Sequence, residues 1–98
     1  MDKITITEER TDDKGRYVAR VDGHEETGIM TYSRVSDALI IVNHTEVPLA
    51  LKGLGVGQAL AVNVISEARK KGFKIIPLCP FLAAQYKRHP EWSDVMQG

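Results

Sequence analysis

The sequence predicts a mixed α/β (α+β) fold with a mixed sheet, its elements running β-β-β-β-α-β-α in one domain over residues 1–98. Residues in the first half alternate apolar and polar with the period of two that a half-buried strand needs, as in Ile4-Thr5-Ile6-Thr7 and Arg16-Tyr17-Val18-Ala19-Arg20-Val21. From Gln58 to Lys71 the period becomes helical, with Leu60, Val64 and Ala68 in one row and Ala61 and Ile65 in the next. Between the two regimes lies a glycine-rich stretch, Leu51-Lys52-Gly53-Leu54-Gly55-Val56-Gly57-Gln58-Ala59-Leu60.

Taken in order, Ile4–Thr7 forms a short strand, and the polar run Glu8–Gly15 reads as a solvated turn closed by Asp13-Lys14-Gly15. Arg16–Asp22 is the second strand, with Tyr17, Ala19 and Val21 on one face. Asp22-Gly23 signals a tight turn into a third strand around Glu26–Ser33. Ser36-Asp37 interrupts the pattern before Ala38–Val42, whose unbroken apolar character predicts a strand covered on both faces. After the helix, Gly72 marks its C-terminal stop, and Phe73–Cys79 reads as a buried strand that pairs in parallel. Pro77 has no N–H to give the ladder, so pairing should fail near it and open a gap in the sheet. A short helix, Phe81–Arg88, ends before His89-Pro90, and the tail Glu91–Gly98 carries a further turn docked by Trp92.

Composition narrows the function classes. Thirteen basic and thirteen acidic side chains cancel, which argues against a sequence-independent grip on nucleic acid. A single cysteine excludes an internal disulfide and a cysteine-cluster metal site, and it fits a reducing, cytoplasmic setting. Three histidines far apart in sequence lack ligand spacing, so no metal is expected. No apolar run reaches membrane-spanning length, and Met1-Asp2-Lys3-Ile4 lacks the apolar core of a signal peptide.

Glycines at alternate positions let the backbone of residues 53–57 turn sharply and approach a ligand closely. A helix beginning there presents unpaired N–H groups and the positive end of its dipole, a pocket suited to phosphate. The spacing fits neither a dinucleotide fingerprint, since Gln58, Ala59 and Leu60 follow Gly57, nor a Walker A loop, since no Gly-Lys-Ser/Thr ending is present. Taken alone, the motif is equally compatible with a plain strand-to-helix turn.

Lys52-Gly53-Leu54-Gly55-Val56-Gly57 resembles the acyl-coenzyme A loop of the GNAT superfamily of N-acetyltransferases, Gln/Arg-x-x-Gly-x-Gly/Ala. His44-Thr45-Glu46-Val47-Pro48, Ala68-Arg69-Lys70-Lys71-Gly72, Pro77-Leu78-Cys79-Pro80-Phe81 and His89-Pro90-Glu91 extend the resemblance to its short, single-domain branch. The resemblance covers nearly the whole chain in order and implies the GNAT-like acyl-CoA N-acyltransferase fold and acetyl-CoA as the bound acetyl donor. It implies that pyrophosphate rests on the amides of Gly53, Leu54, Gly55, Val56, Gly57 and Gln58 with Lys52 at the loop's first position, and pantetheine between splayed strands near Val42 and Val47. Two departures stand out. Only Glu8–Gly15 separates the first two strands, too little for the helices that wall the acceptor site in longer members, and Lys52 replaces the usual Gln or Arg.

Acetyl transfer to an amine needs a deprotonated amine, a stabilised oxyanion and a proton for the departing thiolate. The resemblance assigns the oxyanion to a backbone amide within Ile41–Thr45. His44 and Glu46 are placed to relay protons at the mouth of the splay, or serve only a turn whose backbone groups they satisfy. Cys79, beside Pro80 and a helix N-terminus, is either a nucleophile that takes the acetyl group or a buried small hydrophobe. Tyr86 either protonates coenzyme A or packs; His89-Pro90-Glu91 reads as a brace, and His24 as a surface residue. The expectation is an acetyl-CoA-binding N-acetyltransferase acting on an unidentified amine, with a non-catalytic acetyl-CoA-binding or sensing module as the alternative. Oligomers occur in the superfamily, so a homo-oligomer is admitted by resemblance.

Overall fold

A computed structural model describes residues 3–97; Met1 and Asp2 of the leader reading and Gly98 of the tail lie outside the described residues. Five strands, β1 (Ile4–Arg10), β2 (Lys14–Val21), β3 (Thr27–Ser36), β4 (Leu39–Glu46) and β5 (Lys74–Pro77), lie side by side in sequence order. The first four pair antiparallel, and β4 pairs β5 in parallel across helix α1 (Val56–Lys71). Helix α2 (Pro80–Arg88) follows β5, and short 3-10 turns occupy Leu49–Leu51 and Pro90–Asp94.

One face of the sheet carries Tyr17, Ala19, Val21, Met30, Tyr32 and Val42, all buried with Val56, Leu60, Ala61, Val64, Ile65 and Ala68 of α1. Each of the larger aliphatic side chains among these contributes about 1.5–3 kcal/mol through removal from water, and each alanine methyl about 0.8 kcal/mol. The period of two in the strands and of 3.6 in the helix therefore meet along one seam, as the sequence predicts.

Several boundaries differ from the sequence reading. The run Glu8–Gly15 is strand for most of its length, because Glu8 pairs with Tyr17, Glu9 with Arg16 and Arg10 with Gly15. Cross-strand partners override its polarity: Arg16 Nε donates to Glu9 Oε1 at 2.8 Å, and the Tyr32 hydroxyl donates to Glu8. Only Thr11–Asp13 remain as the turn, with the Thr11 N–H on the Lys14 carbonyl at 2.8 Å. Ala38–Val42 is not covered on both faces: Ile40 and Val42 are buried, whereas Leu39 and Ile41 on the opposite face are half-buried. The strand also continues past Val42 to Glu46, so His44 and Glu46 are strand residues rather than loop.

The last strand is shorter than Phe73–Cys79. It stops at Pro77, the Leu78 N–H folds back to the Ile76 carbonyl at 3.0 Å, and Cys79 becomes the residue before α2. Helix α1 starts at Val56, ahead of Gln58. The tail does more than dock Trp92. Ile75 N–H donates to the Val95 carbonyl at 2.7 Å and Gln97 N–H to the Ile75 carbonyl at 2.8 Å, covering the outer edge of β5. Arg69 of α1 grips Asp94 with two bonds, at 3.0 and 2.9 Å, and holds that tail in place.

Candidate acyl-transfer site

Pairing between β4 and β5 ends with Val42 opposite Pro77, and the Cys79 N–H on the Val42 carbonyl at 2.9 Å is, among the described residues, the last backbone bond across the seam. Beyond it β4 runs on from Asn43 to Glu46 with β3 as its strand partner, while the other chain leaves into α2. The gap opens at Pro77 as expected, but not through its missing N–H: the Pro77 nitrogen, like the Ile75 N–H, faces the tail, and the ladder ends because the Leu78 N–H turns back to the Ile76 carbonyl. Val42 is fully buried and offers this gap only its backbone; Val47 is half-buried against the core.

The glycine stretch lies at the same end of the sheet. Gly53 and Gly55 adopt φ of +85° and +81°, a left-handed geometry that costs other residues about 1–2 kcal/mol, with open space where a Cβ would stand. Gly55 is the residue before α1, and among the described residues no side chain caps that end. The first α-helical bond is Ala59 N–H to the Gly55 carbonyl at 2.9 Å, so among the described residues the amides of Val56, Gly57 and Gln58 have no backbone partner. An anionic group fits this cradle of donors, open space and uncompensated dipole. Lys52 and Gln58 are exposed beside it, whereas Leu54 and Val56 turn inward. Gly57 differs from its neighbours: its φ is ordinary, and an added Cβ would stand 2.8 Å from Phe81 Cζ. That glycine lets α1 and α2 approach each other.

Cys79 is 1% exposed, and its thiol donates to Thr45 Oγ1 at 3.2 Å. Thr45 stands opposite Met30, and hence on the α1 face of the sheet; His44 and Glu46 stand opposite Thr31 and Ile29, on the other face. Both are exposed, with His44 Nε2 3.8 Å from Glu46 Oε2. The structure therefore gathers Cys79 with Thr45, and His44 with Glu46, on opposite sides of the β4 backbone. Tyr86 lies about two turns along α2 from Cys79, half-buried against the core. His89 stacks on Trp92 with ring centroids 4.4 Å apart and meets Glu91 Oε2 through Nδ1 at 3.1 Å, and Trp92 is buried. His24 is exposed in the turn after β2.

Residues that sequence reasoning did not single out also appear. Asn43 is the extra residue of a β-bulge and donates from Nδ2 to Ser33 Oγ at 2.9 Å. Thr45 is the partner of the Cys79 thiol, a contact 34 residues apart in sequence. Away from the gap, the Tyr17 and Tyr32 rings meet beside Glu8 with centroids 5.4 Å apart and planes tilted by 35°. Burial, and then the neighbouring Glu8 carboxylate, push both phenols well above their ordinary value. Register, rather than composition, brings these groups together, and no local signal announces it.

Among the described residues no group of three or more His, Cys, Asp or Glu gathers to hold a metal ion, and no helix is long and apolar enough to cross a membrane. A search of the curated proteins finds no match. A family profile described as GCN5-related N-acetyl-transferase matches residues 16–95, which takes in β2 to β5, the glycine cradle, both helices and Cys79. The chain belongs to the GCN5-related N-acetyltransferase family.

Proposed function

We propose that the chain is a minimal acetyl-CoA-dependent N-acetyltransferase, a single domain that moves an acetyl group to an amine. The observation that carries this reading is the coincidence, at one end of the sheet, of the gap beyond Val42 and Pro77 with the uncapped amides of Val56 to Gln58. The amides and Lys52 would hold the pyrophosphate, and the gap would take pantetheine as an added strand.

The residues divide by face. His44 accepts the proton of the incoming ammonium on the face away from α1, and Glu46, 3.8 Å away, stabilises the imidazolium that results. The amine nitrogen then bonds to the thioester carbon while a backbone amide within Ile41–Thr45 holds the oxyanion. Tyr86 would donate its hydroxyl proton to the departing thiolate as the carbon–sulfur bond breaks and regain one from solvent, which also takes the second proton that the amine nitrogen loses on becoming an amide. Cys79 offers a second route, in which its sulfur bonds to the acetyl carbon as its thiol proton passes to the departing coenzyme A thiolate, and the amine then displaces the sulfur. Its burial and its bond to Thr45 count against that route. A non-catalytic acetyl-CoA-binding or sensing module is the second reading, favoured by the connection of only Thr11–Asp13 between β1 and β2, too short to wall an acceptor site.

Intact-protein mass after incubation with acetyl-CoA, with a thermal shift by free coenzyme A and an amine-acceptor screen, separates these. A thermal shift with amide product and no mass gain supports direct transfer. A gain of one acetyl group that Cys79→Ala abolishes supports the covalent route. A shift without product or mass gain supports the binding module, and the absence of all three refutes coenzyme A binding.

A further inference from the structure

On the sheet face away from α1 lies a groove of about 440 Å³ that Thr31, Ser33 and Asn43 line together with Lys14, Arg16 and Glu9 of the β1–β2 hairpin. Arg16 stands opposite Thr31, and Thr31 opposite His44, so one register line crosses the groove and ends at the candidate proton acceptor. Arg10 lies at its hairpin end.

The charges of this groove are unbalanced. Glu9 is engaged by Arg16 at 2.7 Å, and among the described residues neither Lys14 nor Arg10 makes an ion pair. A polyamine or a lysine-rich tail entering here would meet like charge. Two strand spacings separate Arg16 from His44, about 10 Å between Cα atoms, and Lys14 lies one register step further. The reach of the side chains at each end leaves room for one small molecule, with its amine toward His44 and an anionic group toward Lys14.

Building on the transferase reading, we infer that the acceptor is a small primary amine that also carries a carboxylate or phosphate group, oriented by Lys14 at the hairpin end of the groove. Thr31, Ser33 and Asn43 supply the polar floor on which such a molecule would lie.

Two measurements on the full chain test this. Backbone-amide NMR in the presence of coenzyme A is recorded during titration with L-glutamate, phosphoethanolamine, their counterparts without the anionic groups, L-glutaminamide and ethanolamine, and putrescine. Shifts at Lys14–Arg16, Thr31 and Ser33 with the anionic amines, weaker with the counterparts that lack the anionic group, are expected; no shift in these residues with either anionic amine overturns the inference whether or not turnover occurs. Acetyl transfer to the same amines is then compared in wild type, Lys14→Glu and Lys3→Glu, the last making the same charge change at the other end of β1. Lys14→Glu should lower kcat/KM for the anionic amines by roughly threefold to fivefold or more, while Lys3→Glu leaves it unchanged. A lead for L-glutamate identifies a carboxylate and a lead for phosphoethanolamine a phosphate. Preference for putrescine, or for a protein N-terminus, or indifference to Lys14→Glu overturns the inference. Coenzyme A binding without transfer to any amine refutes the transferase reading, and the NMR titration still decides the groove.

Discussion

Replacing Gly57 with alanine separates the packing role of the glycine stretch from its ligand role. The position has ordinary helical geometry, so the added methyl favours the helix by up to about 1 kcal/mol. It would also stand 2.8, 3.2 and 3.4 Å from Phe81 Cζ, Cε1 and Cε2, an overlap of the kind that costs about 1–3 kcal/mol. Because the ring is only partly buried and the contacted atoms are its far end, the low half of that range applies. A net loss of about 1 kcal/mol is expected, a fall in Tm of roughly 4–8 °C for a domain of this size. In a Phe81→Leu background the obstacle is gone, and the same Gly57→Ala change should become neutral or stabilising. Urea denaturation of wild type, both single variants and the double variant gives the coupling directly, about 1–2 kcal/mol on this reasoning. Equal costs in the two backgrounds, within about 0.5 kcal/mol, would refute the contact. Coenzyme A affinity offers the complementary readout. The Gly57 N–H survives the substitution, so a folded Gly57→Ala variant should bind as wild type does.

At Gly55 the expectation is the opposite in kind: with φ of +81° and open space around the Cβ position, Gly55→Ala should cost about 1–2 kcal/mol through backbone strain alone, seen as lowered Tm with no rescue from Phe81→Leu. Gly55→Asp adds a negative charge at the uncapped helix end and should abolish the coenzyme A thermal shift while the fold persists by circular dichroism. Tyr17 and Tyr32 have folded-state pKa values above the unfolded value of about 10, so their contribution is fully present below that pH and is lost as pH rises through the folded values. Urea titrations should show falling stability above roughly pH 10, and Tyr32→Phe should flatten the fall; an unchanged slope would count against the cluster. Asp94 is held below its ordinary range by its bonds to Arg69, so its contribution is present above about pH 4 and is lost as pH falls through the folded value. Amide exchange at Ile75 and Gln97 should quicken there, and Arg69→Ala should remove that pH dependence.

How much could be read without coordinates varies by element. Asp22-Gly23, Pro77 and Gly72 carry their meaning locally, and each sits at the turn, strand end or helix end that the sequence predicts. The seam between the Tyr17, Ala19, Val21 face and the Leu60, Val64, Ala68 row follows from two periodicities that any folded chain must match. What failed was the inference from polarity to turn. Glu8 and Glu9 look like loop residues by composition, but Tyr32, Arg16 and Lys71 lie across from them in space, and those partners are distant in sequence. The same limit hid the Cys79–Thr45 contact and the groove. Both depend on register, which alternation within one strand does not supply.

The bulge at Asn43 sets the geometry of the candidate site. Val42 stands opposite Tyr32 and His44 opposite Thr31, so the extra residue shifts every later position of β4 by one. If Asn43 paired regularly with Thr31, His44 would stand opposite Met30 and face α1 and the core, while Thr45 would stand opposite Ile29 on the groove side; because side chains alternate, the bulge exchanges the two. As built, Thr45 reaches the Cys79 thiol on the helix side and His44 stands with Glu46 on the open side, beside the groove. The bulge falls just where β4 parts from β5, so the residue that exchanges the faces also begins the gap proposed for pantetheine. The proposed division of labour between donor side and acceptor side thus follows from one backbone irregularity, and the Ser33 hydroxyl, bonded to the Asn43 side chain at 2.9 Å, ties that irregularity to the neighbouring strand.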